Sequence, residues 1–404
     1  MSTPIPNTSN AVAQEQRKRI RELLPKLFLG DYRPGPLNSL TDVPGVKVHT
    51  QQIFSPQGTN TGVTSITPRE KWLTRACYSG IFTFNGAGEL TGSHWIHETG
   101  LLHSPIILTN SLSIGAAHEG VYRYAVQQYG SDSLAGFLVP VVGETFDGYL
   151  NDITSFAVRP EHIIHGLQNV SSERVREGNV GGGTGMICHR FKGGTGSASR
   201  IVEGLDARGG KKEYTIGVLV QANYGKKQHL RIGGVPVGRI LMAEAEETAK
   251  TDEEKRRRMQ AEELDDKKNR KDGSILVVLS TDAPLNPAQL QRIARRATVG
   301  LAKVGGYGNN LSGDIFIAFS TGTDIPVESI GGTGSAVDPL KPKPLPMEIL
   351  DDTSINGLLE AGADATEEAV YNALCMADDF IGYQDRKVEA LPLGRLEQIM
   401  EKYL

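Results

Sequence analysis

Residues 273–285 read GSILVVLSTDAPL and lie at the sharpest change of composition in the chain. The preceding 30 positions, residues 243–272, contain 11 acidic and 9 basic side chains and almost no apolar ones. Such a segment is typical of a solvated helical excursion or a mobile linker. The run Ile275–Leu279 is fully apolar and has the length of a buried strand. We therefore predict that a charged segment ends at Gly273-Ser274, where a core strand begins.

Further helices and strands are expected on both sides of this strand. Asn286 is a suitable N-cap, and Pro287 a suitable first residue, for an amphipathic helix that reaches Leu301. Other strands are predicted at Gly80–Asn85, Ile106–Leu108, Phe137–Val142, Tyr214–Ala222 and Asp314–Phe319. Other helices are predicted at residues 12–28, Ile114–Gln128, His162–Gln168, Met347–Glu360 and Thr366–Phe380. This mixture predicts stacked α and β layers.

The composition excludes several classes of protein. Of the 404 residues, 39% are hydrophobic, which is enough for a sizeable core. The 43 basic and 47 acidic residues give a formal charge of -4, so the basic surface that nucleic acids require is not indicated. No apolar run approaches the ~18 residues of a membrane span. Three scattered cysteines do not form a disulfide framework, and we expect a cytoplasmic protein.

Glycine is unusually frequent, at 47 positions, and is densest in residues 177–197, EGNVGGGTGMICHRFKGGTGS. This segment lacks the Gly-Lys-Ser/Thr of a phosphate-binding loop and a βαβ unit with a downstream acid, so a nucleotide site is disfavoured. Close backbone packing and backbone amides that line another kind of active site remain as interpretations. The histidine pairs do not follow the H-E-x-x-H pattern of a zinc site, and no G-x-S-x-G elbow of a hydrolase is evident.

The Gly273-Ser274 pair has two interpretations. Gly-Ser pairs are common in ordinary turns. The pair also suits autoproteolysis, in which the serine hydroxyl attacks the preceding carbonyl and water cleaves the resulting ester. Glycine helps because it tolerates strained dihedral angles. The product would be an amino-terminal serine whose amine, with a reference pKa of about 7.7–8.0, suits a general base and whose hydroxyl suits a nucleophile.

The stretch 273–285 closely resembles the start of the small subunit in the DmpA-type family of self-processing L-aminopeptidase/D-amidase/D-esterases, which includes the β-peptidyl aminopeptidases. The resemblance runs in order from about residue 27 to 385. It is carried further by VVGETFDGYLNDI (Val141–Ile153), EGNVGGGTG (Glu177–Gly185), VLVQANYGKKQHLRIGGVPVG (Val218–Gly238), LQRIARRATVG (Leu290–Gly300) and NNLSGDIFIAFST (Asn309–Thr321).

The resemblance implies a role for each of several residues. Ser274 matches the nucleophile of both self-cleavage and substrate hydrolysis. Ser312 and Asp314 match the serine and carboxylate that support it, although some relatives have Glu at the latter position. Asn223 matches the asparagine whose amide faces the developing oxyanion, and Glu144 matches the carboxylate that holds the free amino group of the substrate.

These four supporting residues also have ordinary alternative interpretations. Ser312 precedes a glycine and could be a turn residue. Asp314 could cap a backbone amide at the start of a strand. Asn223 could form a turn, and Glu144 could simply face solvent. Their joint occurrence within the motifs of one family favours the functional interpretation.

Two features depart from the family pattern. Phe146 stands where a tyrosine is expected, so a phenol hydroxyl near the nucleophile is missing while the aromatic ring remains for packing. Oxyanion stabilisation or substrate choice would change. The charged segment 243–272 is longer than the usual junction, and we expect it to be mobile and dispensable for folding.

The resemblance implies an Ntn-hydrolase-like αββα sandwich with the topology shared by DmpA and the ornithine acetyltransferases. A precursor would be cut at Gly273-Ser274 into residues 1–273 and 274–404, which together form one catalytic domain. The implied enzyme needs no metal or organic cofactor, acts on peptides, amides or esters with a free amino terminus, and forms a tetramer of αβ units.

Two alternatives remain at this point. An ornithine-acetyltransferase-like acyltransferase would also cleave itself, but that group cleaves before threonine, whereas this chain has Ser274. An uncleaved, inactive binding homologue is the second alternative, which the Phe146 substitution keeps open.

Overall fold

The computed structural model describes residues 16–130, 138–248, 273–327, 338 and 340–404. Most of the charged segment, residues 249–272, lies outside the described residues. Its expected mobility therefore stays a prediction. Residues 243–248 of that segment complete a helix, Val237–Thr248, instead of a linker.

The described helices and strands are interspersed along the chain. The strands are β1 Lys47–Phe54, β2 Asn60–Thr67, β3 Arg75–Gly86, β4 Leu101–Leu102, β5 Ile106–Asn110, β6 Val141–Thr145, β7 Ile187–Cys188, β8 Phe191–Lys192, β9 Gly194–Leu205, β10 Lys211–Tyr224, β11 Gly273–Thr281, β12 Gly313–Pro326, β13 Phe380–Ile381 and β14 Lys387–Val388. The α-helices are α1 Ile20–Leu23, α2 Ser93–Thr99, α3 Ile114–Tyr129, α4 Pro160–Gln168, α5 Val237–Thr248, α6 Pro287–Val304, α7 Asn356–Cys375 and α8 Leu393–Met400.

Two sheets form the centre of the fold. One has the strand order β1-β2-β5-β6, and the other has the order β4-β3-β12-β11-β10-β9. In the second sheet β11 runs parallel to β12 and antiparallel to β10. The predicted core strand after residue 273 therefore lies in the interior of the larger sheet, with a hydrogen-bonded neighbour on each side.

The apolar run of β11 is continuous because both of its faces are buried. Leu276 and Val278 pack between the two sheets, together with Ile106 and Val141 of the smaller sheet. Val277 and its neighbours on the opposite face pack under helices α6 and α7. Successive strand side chains point to opposite faces, so a strand between two buried layers favours apolar side chains on both faces.

The outer layers are helices. Helices α6 and α7 cover the larger sheet, and α3 and α4 cover the outer face of the smaller sheet. Helix α6 begins as the sequence predicts, since the Asn286 side chain accepts from the Gln289 N–H at 2.9 Å and Pro287 is the first residue. The order is helix, sheet, sheet, helix, which confirms the predicted layer architecture.

Some predicted element bounds are wrong. Within residues 16–28 only Ile20–Leu23 is helical, because Pro25 cannot continue the helix and disfavours the helical conformation of the residue before it. The two helices predicted after residue 347 are one helix, α7, preceded by a 3-10 turn that the Asp351 side chain caps. The strand predicted at Phe137–Val142 is β6, at Val141–Thr145.

The close contact between β9 and α7 depends on the absence of a side chain at Gly196. A Cβ atom at Gly196 would lie 1.9 Å from the Ala369 carbonyl oxygen and 2.7 Å from the Ala373 nitrogen, both in the α7 backbone. Backbone cannot move away as a flexible side chain can, so the helix and the strand would have to separate.

We predict that Gly196→Ala lowers the free energy of unfolding by about 3 kcal/mol through this overpacking. Gly115→Ala is the matched control, because nothing lies within 4 Å of a Cβ at that helical position, and it should gain up to about 1 kcal/mol from helix propensity. Urea unfolding followed by circular dichroism measures both. Equal stability of the two variants would contradict the packing argument.

Candidate active site

The register of three strands brings the predicted residues together. Ser274 is the second residue of β11, and it pairs with Asn223 at the end of β10 and with Gly313 at the start of β12. Ser274 and Asn223 are 7% and 8% exposed, so the site is nearly closed to solvent. Strand pairing alone thus places two predicted residues side by side across 51 residues of chain, 274 minus 223.

The residue before the serine has a backbone that favours glycine. Gly273 has a φ of +67°, in the left-handed region, and a Cβ there would lie 2.1 Å from the Asn223 carbonyl oxygen. Both the conformation and the lack of space exclude a side chain without rearrangement. The Gly273-Ser274 pair is therefore not an ordinary surface turn.

The hydroxyl of Ser274 contacts the start of β12. The Gly313 N–H donates to Ser274 Oγ at 3.1 Å. On either side of Gly313, Ser312 Oγ donates to Asp314 Oδ1 at 2.6 Å. The same carboxylate oxygen accepts from the Ile275 N–H at 3.2 Å. Asp314 therefore ties Ser312 to the backbone next to Ser274, and both side chains are buried.

Burial raises the pKa of Asp314 above its ordinary value, although the hydrogen bonds from Ser312, Ile275 and Asn85 oppose this shift. Asn85 was not predicted from the sequence. Its Nδ2 lies 3.5 Å from Asp314 Oδ2 and donates to the Asn309 carbonyl at 3.1 Å. An asparagine at the end of a strand is too common for its pattern to indicate such a contact.

The amide of Asn223 is held at both ends. Its Oδ1 accepts from the Ile187 N–H at 2.9 Å, and its Nδ2 donates to the Phe146 carbonyl at 2.9 Å. An amide nitrogen carries two hydrogens, so one remains for another acceptor. The two contacts fix which end of the amide is the donor.

Glu144 lies at the end of β6 in the smaller sheet and is 7% exposed. Its Oε1 accepts from the Glu89 N–H at 3.1 Å, and its Oε2 is bonded to the Ser111 hydroxyl. A Cβ at Gly88 would lie 3.3 Å from Glu144 Oε1 and 3.0 Å from the Gly313 Cα. One glycine therefore separates the carboxylate from the start of β12, which pairs with Ser274.

Phe146 contributes to the site through its backbone. Its ring is half-buried and packs close to Gly148, where a Cβ would lie 2.5 Å from the ring. Because its carbonyl, not its ring, accepts from Asn223, that contact does not depend on whether residue 146 is Phe or Tyr.

Asp147, the next residue, is buried and anchors this loop. Its carboxylate accepts from the Thr61 hydroxyl at 2.6 Å and from Asn151 Nδ2 at 2.9 Å. Burial raises the pKa of Asp147 to about 6, while these hydrogen bonds lower it.

The glycine-dense segment fills space next to the site. Gly181–Gly183 forms a 3-10 turn, and a Cβ at Gly182 would lie 1.8 Å from Gln221 Oε1. At Gly183 a Cβ would lie 2.3 Å from the Thr195 nitrogen. These contacts support the close-packing interpretation of the segment.

The described part of the chain shows neither a metal centre nor a membrane-spanning helix. It contains no group of three or more His, Cys, Asp or Glu side chains that could hold a metal. Within the same residues, no helix has the length and hydrophobicity that crossing a membrane requires. The three cysteines are buried free thiols.

The sequence matches a known peptidase family. The model described as Peptidase family S58 matches residues 38–388. The beta-peptidyl aminopeptidases BapA of Sphingosinicella microcystinivorans and Sphingosinicella xenopeptidilytica are 40% and 37% identical over 379 residues. These alignments cover 92% and 91% of this chain and 89% and 88% of the relatives.

The fold is also similar to solved structures. A Burkholderia sp. beta-aminopeptidase has a TM-score of 0.80 and 38% identity, over 95% of this chain and 99% of that one. The L-aminopeptidase D-Ala-esterase/amidase of Ochrobactrum anthropi has a TM-score of 0.79 and 38% identity, over 95% of this chain and 98% of that one. The latter is described as a variant of the Ntn hydrolase fold, which confirms the predicted fold class.

The raised pKa of Asp147 leads to a pH-dependent prediction. Its folded pKa of about 6 lies above the ordinary value of 3.8, so folding favours the protonated form. This contribution to stability is complete below pH 3.8 and is lost as the pH rises through about 6. Relative to Asp147→Asn, the protein should therefore lose roughly 2 kcal/mol of unfolding free energy between pH 4 and pH 7.

Urea unfolding of both proteins at the two pH values measures this difference. Each should carry Ser274→Ala so that a single chain unfolds. A difference between the two proteins that does not change with pH would contradict the assignment of a raised pKa.

Proposed function

This chain belongs to peptidase family S58, and from that premise we propose that it cuts itself between Gly273 and Ser274 and that the new amino-terminal serine is its catalytic nucleophile. The chain is an aminopeptidase of the N-terminal nucleophile class, and its substrates are peptides or amides. The observation that carries the proposal is the pairing of Ser274 with Asn223 on one side and Gly313 on the other.

Self-cleavage would begin with attack of Ser274 Oγ on the Gly273 carbonyl carbon. The C–N bond breaks, the nitrogen takes up a proton, and an ester remains. Water then hydrolyses the ester to the Gly273 carboxylate and regenerates the Ser274 hydroxyl beside a free amine. The glycine at position 273 supports this proposal, since its left-handed φ is unfavourable for residues with a side chain and it places no Cβ beside the carbonyl carbon under attack.

The same serine would act on substrates. Its free amine, with a reference pKa of about 7.7–8.0, takes the hydroxyl proton as Oγ attacks the substrate carbonyl. The amine of the leaving group receives that proton, and water hydrolyses the acyl ester. The Ser312–Asp314 pair would support the nucleophile, as their hydrogen bond at the backbone beside Ser274 suggests.

Asn223 would stabilise the oxyanion of the tetrahedral intermediate. One of its Nδ2 hydrogens is used by the Phe146 carbonyl, which leaves the second for the developing charge. Such a donor typically contributes ~3–4 kcal/mol to transition-state stabilisation. The contact through the backbone of Phe146 supports an active enzyme over an inactive binding homologue, because it does not depend on the missing phenol.

Glu144 would bind the ammonium group of the substrate. A nearly buried carboxylate favours a cation, and only an unblocked amino terminus brings one to the reacting carbonyl. This requirement would restrict the enzyme to removing terminal residues. We extend the proposed substrates to esters because the Ochrobactrum anthropi relative is named an esterase and amidase.

We propose that the mature enzyme is a cytoplasmic homo-oligomer, a tetramer of αβ units, with residues 1–273 and 274–404 in each unit. The three free thiols are consistent with a reducing compartment. The family and the named relatives support an aminopeptidase and not an acyltransferase, and Ser274 stands where the acyltransferase group has threonine.

The proposed function is tested by comparing the unmodified protein with Ser274→Ala on a denaturing gel and in a hydrolysis assay. We expect the unmodified protein to give two fragments and to release p-nitroaniline from aminoacyl p-nitroanilides without an acyl acceptor. Ser274→Ala should give one full-length band and no release. A full-length band in both proteins would refute self-processing.

Glu144→Gln should raise the KM for substrates with a free amine by about tenfold or more, since it removes an ion pair of at least about 1.4 kcal/mol. The exposed Glu89 is the matched control, because its hydrogen bonds with Glu144 are made by its backbone N–H and carbonyl, and Glu89→Gln should leave KM unchanged. Steady-state kinetics with free and N-acetylated p-nitroanilides measures both. An unchanged KM in Glu144→Gln would contradict the assignment.

A further inference from the structure

Lys192 is a fully buried cation beside the site. Its ammonium donates to the carbonyls of Met186 and Gly193 at 2.8 Å and to that of Gly183 at 3.4 Å. Burial lowers the pKa of Lys192 to about 7. An amine and an ammonium both donate N–H, so hydrogen bonds to carbonyls persist on either side of this pKa.

These three carbonyls lie at the two ends of one short segment, residues 183–193. The segment contains the hairpin of β7 and β8, whose turn residues His189 and Arg190 have φ values of 49° and 65°. The His189 N–H donates to the Tyr224 carbonyl at 2.7 Å, and the two rings make an edge contact at 5.0 Å. The hairpin tip is thereby fixed to the residue after Asn223.

Lys192 and Asn223 are joined through a single peptide group. The carbonyl of Met186 accepts from Lys192 Nζ, and the N–H of Ile187 donates to Asn223 Oδ1. This carbonyl and this N–H belong to the same planar peptide, in which they point in opposite directions. A donor on the carbonyl fixes the plane and polarises the N–H, as in any chain of hydrogen bonds.

We propose that Lys192 is a positioning residue for Asn223: it orients and polarises the Met186–Ile187 peptide, which keeps Oδ1 engaged and leaves Nδ2 as the donor toward the oxyanion. This inference rests on the proposed function, because it assigns Lys192 a part in the same reaction. The Gly193 N–H also donates to the Met186 carbonyl, at 3.2 Å. Without Lys192 this longer bond alone would hold the peptide plane, so the Asn223 amide would be less firmly oriented toward the developing negative charge.

Lys192→Met tests the proposal, since it removes the donors and keeps most of the side-chain volume. We expect kcat for an aminoacyl p-nitroanilide to fall about tenfold or more, with KM unchanged within about twofold, because only the transition state carries the oxyanion. Lys303→Met is the matched control. Its ammonium contacts Asp364 and Glu367 on α7, and its loss should change stability but not kcat.

A double-mutant cycle separates positioning from a general structural effect. Asn223→Ala should lower kcat by about 10²–10³-fold, and adding Lys192→Met should cause no further loss, because the residue it positions is gone. Losses that multiply, or a Lys192→Met enzyme with unchanged kcat, would overturn the proposal. If the unmodified protein hydrolyses no substrate, the proposed function fails instead.

Lys192→Gln covers the case in which Lys192→Met does not fold or cleave. Its neutral amide keeps a donor for the Met186 carbonyl, so kcat should fall by about threefold to tenfold relative to the unmodified protein, again without a change in KM. If Asn223→Ala does not cleave itself, the split between kcat and KM in Lys192→Gln decides alone. A parallel change in both constants, or no change in either, contradicts positioning.

Discussion

The site depends on the register of β10, β11 and β12. Two strand pairings put Asn223, Ser274 and Gly313 in one row across the larger sheet. A shift of one residue in either pairing would turn the nucleophile toward the opposite face. The register is secured by the core itself, because β11 buries Leu276 and Val278 on one face and Val277 on the other. The strand that holds the nucleophile is thus fixed by hydrophobic packing over its whole length.

Glycine allows the surrounding elements to come this close. A side chain at Gly273 would overlap the Asn223 backbone, and one at Gly182 would overlap the Gln221 side chain. A side chain at Gly88 would fill the space between Gly313 and Glu144. The excess of glycine along the chain reflects backbone packed against backbone around the site. At the site, the buried side chains of Ser312 and Asp314 satisfy each other through a hydrogen bond.

The sequence was informative where a single local cause dominates. The apolar run of β11 and the Asn286-Pro287 start of α6 follow from burial and capping, and both are confirmed. The resemblance to a family located Ser274, Ser312, Asp314, Asn223 and Glu144, which the fold brings together. Their catalytic roles stay predictions.

The features that the sequence did not indicate depend on tertiary contacts. Strand β9 is buried although much of it is Gly, Ser, Thr and Ala, since its partner is the α7 backbone, and small side chains give no apolar pattern. Lys192 and Ser111 carry ordinary residue types at unremarkable spacings. Only the folded chain shows that Lys192 donates to the Met186 carbonyl, in the peptide group that holds Asn223, and that the Ser111 hydroxyl is hydrogen-bonded to Glu144.

Ser274 therefore has two proposed roles, as the amino terminus of the second chain and as the catalytic nucleophile. Intact-mass spectrometry of the purified protein, mixed with an amino-acid ester and quenched in acid, tests both at once. We predict two chains that meet between residues 273 and 274, with the acyl group on the chain of residues 274–404 and, after fragmentation, on Ser274. An unbroken chain of 404 residues, or an acyl group on another residue, would contradict the account.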